Sequence, residues 1–273
     1  MSRAGPGSSR KRPRWDAGRD ASHRGRVAGV DGTARRVDDA GVLSDERRAA
    51  RGSLAAALVV LGLALLSPLL TPTPCGDLAR GYPPIVAFEL ARSQADLDAL
   101  FGAEASTCRD TLVQAIDLAD WVDTFVFAPS YGLFLALFFA SVRARGERAA
   151  RLGIGLAVTA VAFDLLENAC LLTLTGSLDA GSTAAALLPW MTGVKWVALG
   201  LAALPEAWVF LRREGLAPKV GAAMALVAPV GVALALASPA RFGATIALAV
   251  TCAWVPCLGS VARRARAAAT ATG

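Results

Sequence analysis

Histidine is almost missing. His23 is the only one in 273 residues. That scarcity excludes an HExxH zinc site, a Ser–His or Cys–His dyad in the apolar part of the chain, and bis-histidine haem ligation. No GxxxxGK[ST] loop occurs, so a nucleotide-driven pump of the P-loop type is excluded as well. Lysine is nearly as rare. Lys11, Lys195 and Lys219 are the only ones, against 25 arginines, a bias that points to a GC-rich bacterial genome. Beyond residue 52 there is no charge excess either. Residues 1–52 hold 13 basic and 7 acidic side chains and so carry the whole net charge of +6. The basic pI of about 9.5 therefore describes a tail, and no nucleic-acid partner is expected.

What the chain has is apolar length. Hydrophobic residues make up 55% of it and mean hydropathy is +0.48, a composition of membrane proteins. Residues 1–52 lack apolar periodicity and read as a disordered basic tail. Within it, RKRPRW at 10–15 is a solvated run that could touch anionic headgroups. Six apolar segments follow, about 54–70, 117–140, 152–174, 185–211, 220–238 and 243–261. A spanning helix needs about 20 apolar residues. The first segment is short by that measure, but no A-x-A site follows it, which argues against a cleaved signal peptide. The expected fold class is all-α: a polytopic transmembrane helical bundle with about six membrane helices, a membrane domain over 53–265 and a short tail at 266–273.

Arginines orient it. With the N-terminus in the cytoplasm, the inside segments hold the basic tail, then Arg143, Arg145, Arg148 and Arg151, then Arg212, Arg213 and Lys219, then Arg263, Arg264 and Arg266. The outside segments hold only Arg80, Arg92, Arg109 and Arg241. The positive-inside rule then holds on every loop. The expected location is the bacterial cytoplasmic (inner) membrane, both termini inside, with the lipid bilayer and a small-molecule or lipid ligand as the expected partners.

The outside loop 71–116 begins TPTPCG, which cannot be helical. Ser93 with Asp96, and Thr107 with Asp110, match capping boxes. The first would open a short amphipathic helix ending at Gly102, with Leu97, Leu100 and Phe101 on its apolar side, lying on the membrane or capping the bundle. The second would extend the next span outward by about two to three turns. Cys75 and Cys108 are the only cysteines of this loop. A disulfide and two unrelated buried thiols are both open readings. Cys170, Cys252 and Cys257 read as apolar fillers, and no metal site or cofactor is expected.

The unusual feature is polar. Asp117, Asp120 and Asp123 step by three along the second span, and Pro129 follows, expected to kink the helix near Tyr131. Asp164, Glu167 and Asn168 share one face of the third span, and Lys195 lies within the fourth. A charged group at mid-bilayer costs about 2.5–3.5 kcal/mol on insertion scales, so these groups must face the bundle interior and pair. One lysine cannot neutralise three deep carboxylates. Either some acids stay protonated or a cation completes the site. Candidate site residues are thus Asp120, Asp123, Tyr131, Asp164, Glu167, Asn168 and Lys195. Glu206 is read as structural, satisfied by Arg212 and Arg213 of this chain or of a neighbouring one. The tryptophans Trp121, Trp190, Trp196 and Trp208 read as belt or packing residues.

FELARSQADLDALFG (88–102), the Asp123–Tyr131 run, FDLLENACLL (163–172) and VKW (194–196) together resemble a family of uncharacterised bacterial multi-pass integral membrane proteins. The resemblance covers about residues 85–211. It implies the same topology and points at the same residues, and it implies no activity. Function therefore rests on the cluster. A non-enzymatic membrane protein whose cluster holds a small ligand, lipid headgroup or proton is the primary reading. An acid/base enzyme on a lipid or isoprenoid is the alternative, with Asp164 and Glu167 as acid and base. A small secondary transporter is the second, though no inverted repeat is visible. A purely structural helix clamp competes with all three. A cavity open to lipid, water access from both faces, or a closed and fully paired cluster would separate them.

Overall fold

The computed structural model describes residues 28–70, 73–79, 82–102, 105–143 and 146–270. The basic run 10–15 lies outside them. Every regular element among the described residues is helical: α1 (Ala28–Leu70), α2 (Pro84–Glu89), α3 (Gln94–Phe101), α4 (Thr107–Val122), α5 (Ala128–Ser141), α6 (Glu147–Thr175), α7 (Thr183–Leu211), α8 (Leu216–Ala237), α9 (Pro239–Phe242) and α10 (Ile246–Thr270). Six stretches are long and apolar enough to cross a membrane: Asp45–Leu66, Thr107–Ser141, Glu147–Thr175, Thr183–Leu211, Leu216–Ala237 and Pro239–Ala267. The chain is a polytopic helical membrane protein.

Two compact units divide it, Met1–Val42 and Leu43–Gly273. The described part of the first is the start of α1, whose opening residues fall in the stretch that composition marks as a tail without regular structure. Once an apolar helix is nucleated, adding residues in either direction is cheap, and no proline interrupts the run from Val27 to Leu66.

In the second unit consecutive long helices pack against one another, α5 on α6, α6 on α7, α7 on α8 and α8 on α10. Short loops impose that antiparallel order. Small residues let the backbones approach. A Cβ on Gly231 would fall 2.3 Å from the Ala249 methyl carbon, and one on Gly153 would fall 2.3 Å from the Phe139 ring. Ser53 of α1 donates to the Phe134 carbonyl at 2.9 Å. The main core is aromatic along α5, where Tyr131, Phe134, Phe138 and Phe139 are buried.

The loop helices cap the bundle rather than lie beside it. Leu97, Leu100 and Phe101 of α3 are buried with Phe88, Leu112, Leu171 and Leu188 in a second core over the ends of α4, α6 and α7. The Ser93 hydroxyl accepts from the Asp96 N–H at 3.3 Å, and Asp96 accepts from the Arg92 N–H at 2.9 Å. At α4 the cap is Ser106, which accepts from the Arg109 N–H at 3.2 Å, one residue before the Thr107 expected from the capping-box spacing. Helix α4 does extend the second span outward from residue 107. A disulfide joins Cys75 and Cys108, with Cα atoms 5.9 Å apart, and ties the TPTPCG segment to the start of α4.

Between α4 and α5, residues Asp123–Phe127 form a single π-helical turn. The departure from regular α-helix therefore falls before Pro129 rather than near Tyr131. Pro129 lacks an N–H and its ring crowds the carbonyl four residues earlier, at Phe125. The wide turn accommodates both.

Candidate functional site

Lys195 organises the site. It lies in α7, two turns after Leu188, and is 4% exposed. Its ammonium is 3.1 Å from Glu89 Oε1, 3.1 Å from Asp164 Oδ1 and in direct contact with Glu167 Oε2. Asp164 and Glu167, one helical turn apart on α6, turn the same face toward it. Both are essentially without exposure, 3% and 0%, so neither headgroups nor water compensate their charge.

The sequence candidates sort into a centre and a margin. Tyr131 donates to Asp164 Oδ2 at 2.7 Å, and so joins the centre from α5. Asn168 donates to Asp123 Oδ2 at 2.6 Å, pairing α6 with the π-turn. Asp120, at the end of α4, is buried near Asp123 and Glu89. Its Oδ2 has no hydrogen-bond partner, and the same holds for buried atoms of Asp117 and Thr124. All seven candidates thus converge; the Asp164 and Glu167 oxygens without a hydrogen bond face Lys195, while those of Asp117, Asp120 and Thr124 lie on α4 and the turn after it.

Three participants lie outside the set that the sequence singled out. Glu89, the last residue of α2, comes from the loop. Phe88 packs edge-to-face on Phe101 at 5.1 Å, and that anchor turns the next side chain inward. Burial pushes the Glu89 carboxyl up from its ordinary value, against the opposing pull of Lys195. Thr192 donates to the Glu89 carbonyl at 3.0 Å and also contacts Glu167 Oε1. Trp196 donates its indole N–H to Glu89 Oε2 at 3.1 Å. Trp196 is thereby a polar partner of the cluster and not a belt residue, because its ring is buried while Trp121, Trp190 and Trp208 stay exposed. The signal for Glu89 was a charged residue inside the apolar run IVAFELA. The signal for Thr192 and Trp196 was their spacing of three and one from Lys195.

Glu206, on α7 nearer the arginine-rich end, is buried and contacts the Cys257 thiol. Cys257 is its neighbour from α10, and Arg213 donates to Ser260 at 3.2 Å.

Among the described residues no group of three His, Cys, Asp or Glu side chains is placed to hold a metal ion. The Lys195 ammonium stands at the point where Glu89, Asp164 and Glu167 converge. Chemically the arrangement can hold one fixed positive charge and a variable number of protons.

Comparison with known proteins finds no matching family model, no matching curated protein and no matching solved structure, so the family resemblance read from the sequence brings no activity to the site.

Proposed function

We propose that this integral membrane protein binds exchangeable protons at its intramembrane acid–lysine cluster. One observation carries the reading: Glu89, Asp120, Asp164 and Glu167 are all buried, Asp123 adjoins them, and among the described residues Lys195 is the one cation paired with them. Ionising all five would leave several uncompensated charges in a low-dielectric interior, each costing several kcal/mol. Protons are the smallest compensation. The Thr192 hydroxyl supports this further. It carries one proton yet stands between two acceptors, the Glu89 carbonyl and Glu167 Oε1. A proton on Glu167 that donates to Thr192 satisfies both contacts.

The packing favours protons over the other ligands considered. Lys195 touches its three carboxylates directly, and the cavities lined by Arg213 and Arg263 and by Ala91 and Leu97 lie away from it. The enzyme and transporter readings would each need space at the cluster.

Infrared difference spectra of the full chain in detergent, taken between mildly acid and mildly alkaline pH, test this. A carboxylic-acid band that disappears with rising pH is expected, with part of it removed in Glu167→Gln. A spectrum with no protonated carboxyl at any pH in that range would overturn the reading and leave a fully ionised helix clamp.

A further inference from the structure

The opposite end of the bundle carries a second polar feature that the cluster does not use. Arginines follow the end of α7 and lie in the last third of α10 there. Arg213, Ser260, Arg263, Arg264 and Ala267 line a cavity of about 280 Å³. The share of liquid volume taken by one water is about 30 Å³, so the space admits a group of several heavy atoms. Among the described residues no carboxylate lines it. Its three guanidinium groups are always charged and present forked donors that match a tetrahedral oxyanion.

The arginines are held in place. Arg264 donates through Nη1 to the Ser141 carbonyl, one of the carbonyls left open at the end of α5. Arg213 donates to Ser260 at 3.2 Å and packs on the Phe210 ring at 5.2 Å. The other terminal nitrogen of Arg264, Nη2, is buried without a hydrogen-bond partner. A buried charged donor lacking an acceptor is costly, and an anion in the cavity would supply one.

We propose that this cavity binds a phosphate group, that of an anionic phospholipid headgroup or a free phosphate ion. Its setting favours the lipid. Trp208, half exposed, lies at the same end of α7 with Arg212 stacked on its ring at 4.7 Å, an arrangement found where tryptophan belts meet headgroups. Basic pockets between membrane helices recognise such headgroups.

The test is binding to the delipidated full chain in detergent, with phosphatidylglycerol, phosphatidylcholine and inorganic phosphate as separate probes. Saturable binding of phosphatidylglycerol above phosphatidylcholine is expected, weakened about fivefold in Arg263→Gln and in Arg264→Gln. Arg212→Gln removes the same charge at the same end but outside the cavity, and less than a twofold change is expected. Inorganic phosphate that competes with phosphatidylglycerol would assign the site to free phosphate as well. If phosphate fails to compete, the lipid is the ligand. Equal binding of the two lipids, or equal losses in Arg263→Gln and Arg212→Gln, would overturn the proposal in favour of diffuse surface charge. Arg264→Gln risks the fold through the lost contact to α5; Arg263 is exposed, and its variant decides the matter alone.

Discussion

At the residue scale the chain concentrates its electrostatics on one lysine. Lys195 faces Glu89, Asp164 and Glu167, and among the described residues no other cation pairs with them. Removing one partner of a buried ion pair typically costs about 3–5 kcal/mol. Lys195→Met is therefore expected to lower stability by about that amount in thermal unfolding at neutral pH, with part of the loss recovered in acid, where protons replace the missing charge. Glu89 gives a sharper pH test. Its carboxyl is raised by burial in the folded state, so the native protein holds a proton at pH values where the unfolded chain has released it. The stability this contributes is full below the unfolded value of about 4.3 and declines as pH rises through the folded one. Unfolding temperature is expected to fall on going from acid toward alkaline pH. In Glu89→Gln that slope should flatten, while Lys195, Asp164, Glu167, Asp123 and Asp120 still face the substituted side chain. An unchanged slope would show that Glu89 is not among the groups that set it.

At the scale of elements the π-turn decides how α4 meets the rest. Asp123–Phe127 inserts a wide turn just before Pro129, and Asp123 at its start receives the Asn168 amide. In a regular helix each residue turns about 100°. Deleting Thr124 is expected to restore the α-helical period and swing Asp120 and Asp123 away from α6. The check is a pair of unfolding measurements. Asp123→Ala should cost about 1.5–3 kcal/mol in the wild-type background, the value of a hydrogen bond to a charged group, and close to nothing in the deletion. Equal costs in both would mean that the turn does not position Asp123. Helix α7 shows the other side of element design. Trp190 and Trp208 are eighteen residues apart, five full turns, so they lie on one face, separated by about 27 Å. Both are exposed, while Trp196, off that face, turns inward to Glu89.

At the scale of the whole molecule the loop 71–116 is part of the bundle and not an appendage. It buries Phe88, Leu97, Leu100 and Phe101 over the helix ends and supplies Glu89 to the site. Tyr82 donates to the Pro239 carbonyl at 3.3 Å. The disulfide closes a separation of 33 residues, which corresponds to about 3–4 kcal/mol of chain entropy removed from the unfolded state. Reduction is expected to lower the unfolding temperature and to loosen Glu89 over Lys195. Hydrogen exchange should report faster exchange in α2 and α3 than in α7. Uniform acceleration throughout would show that the cap does not act as a separate cooperative part.

Much of this was legible without coordinates. Spans, caps and the inward-facing Asp164, Glu167 and Lys195 follow from local rules: apolar length against bilayer thickness, side-chain oxygens at helix starts, and the cost of charge in hydrocarbon. Those rules act within one helix, so one helix's residues suffice to read them. The role of Glu89 was not legible, nor the indole of Trp196 as its donor, nor Cys257 as the neighbour of Glu206. Each depends on which face of one helix meets which face of another, a choice set by close packing of small residues such as Gly153 and Gly231 across helix interfaces. The π-turn likewise needed the chain in three dimensions, because Pro129 alone allows a kink, a break or a widened turn. The sequence alone thus determined that charges had to be buried together in this membrane protein. Tertiary packing decided which carboxylates face the single lysine, and that Glu89 of the loop is one of them.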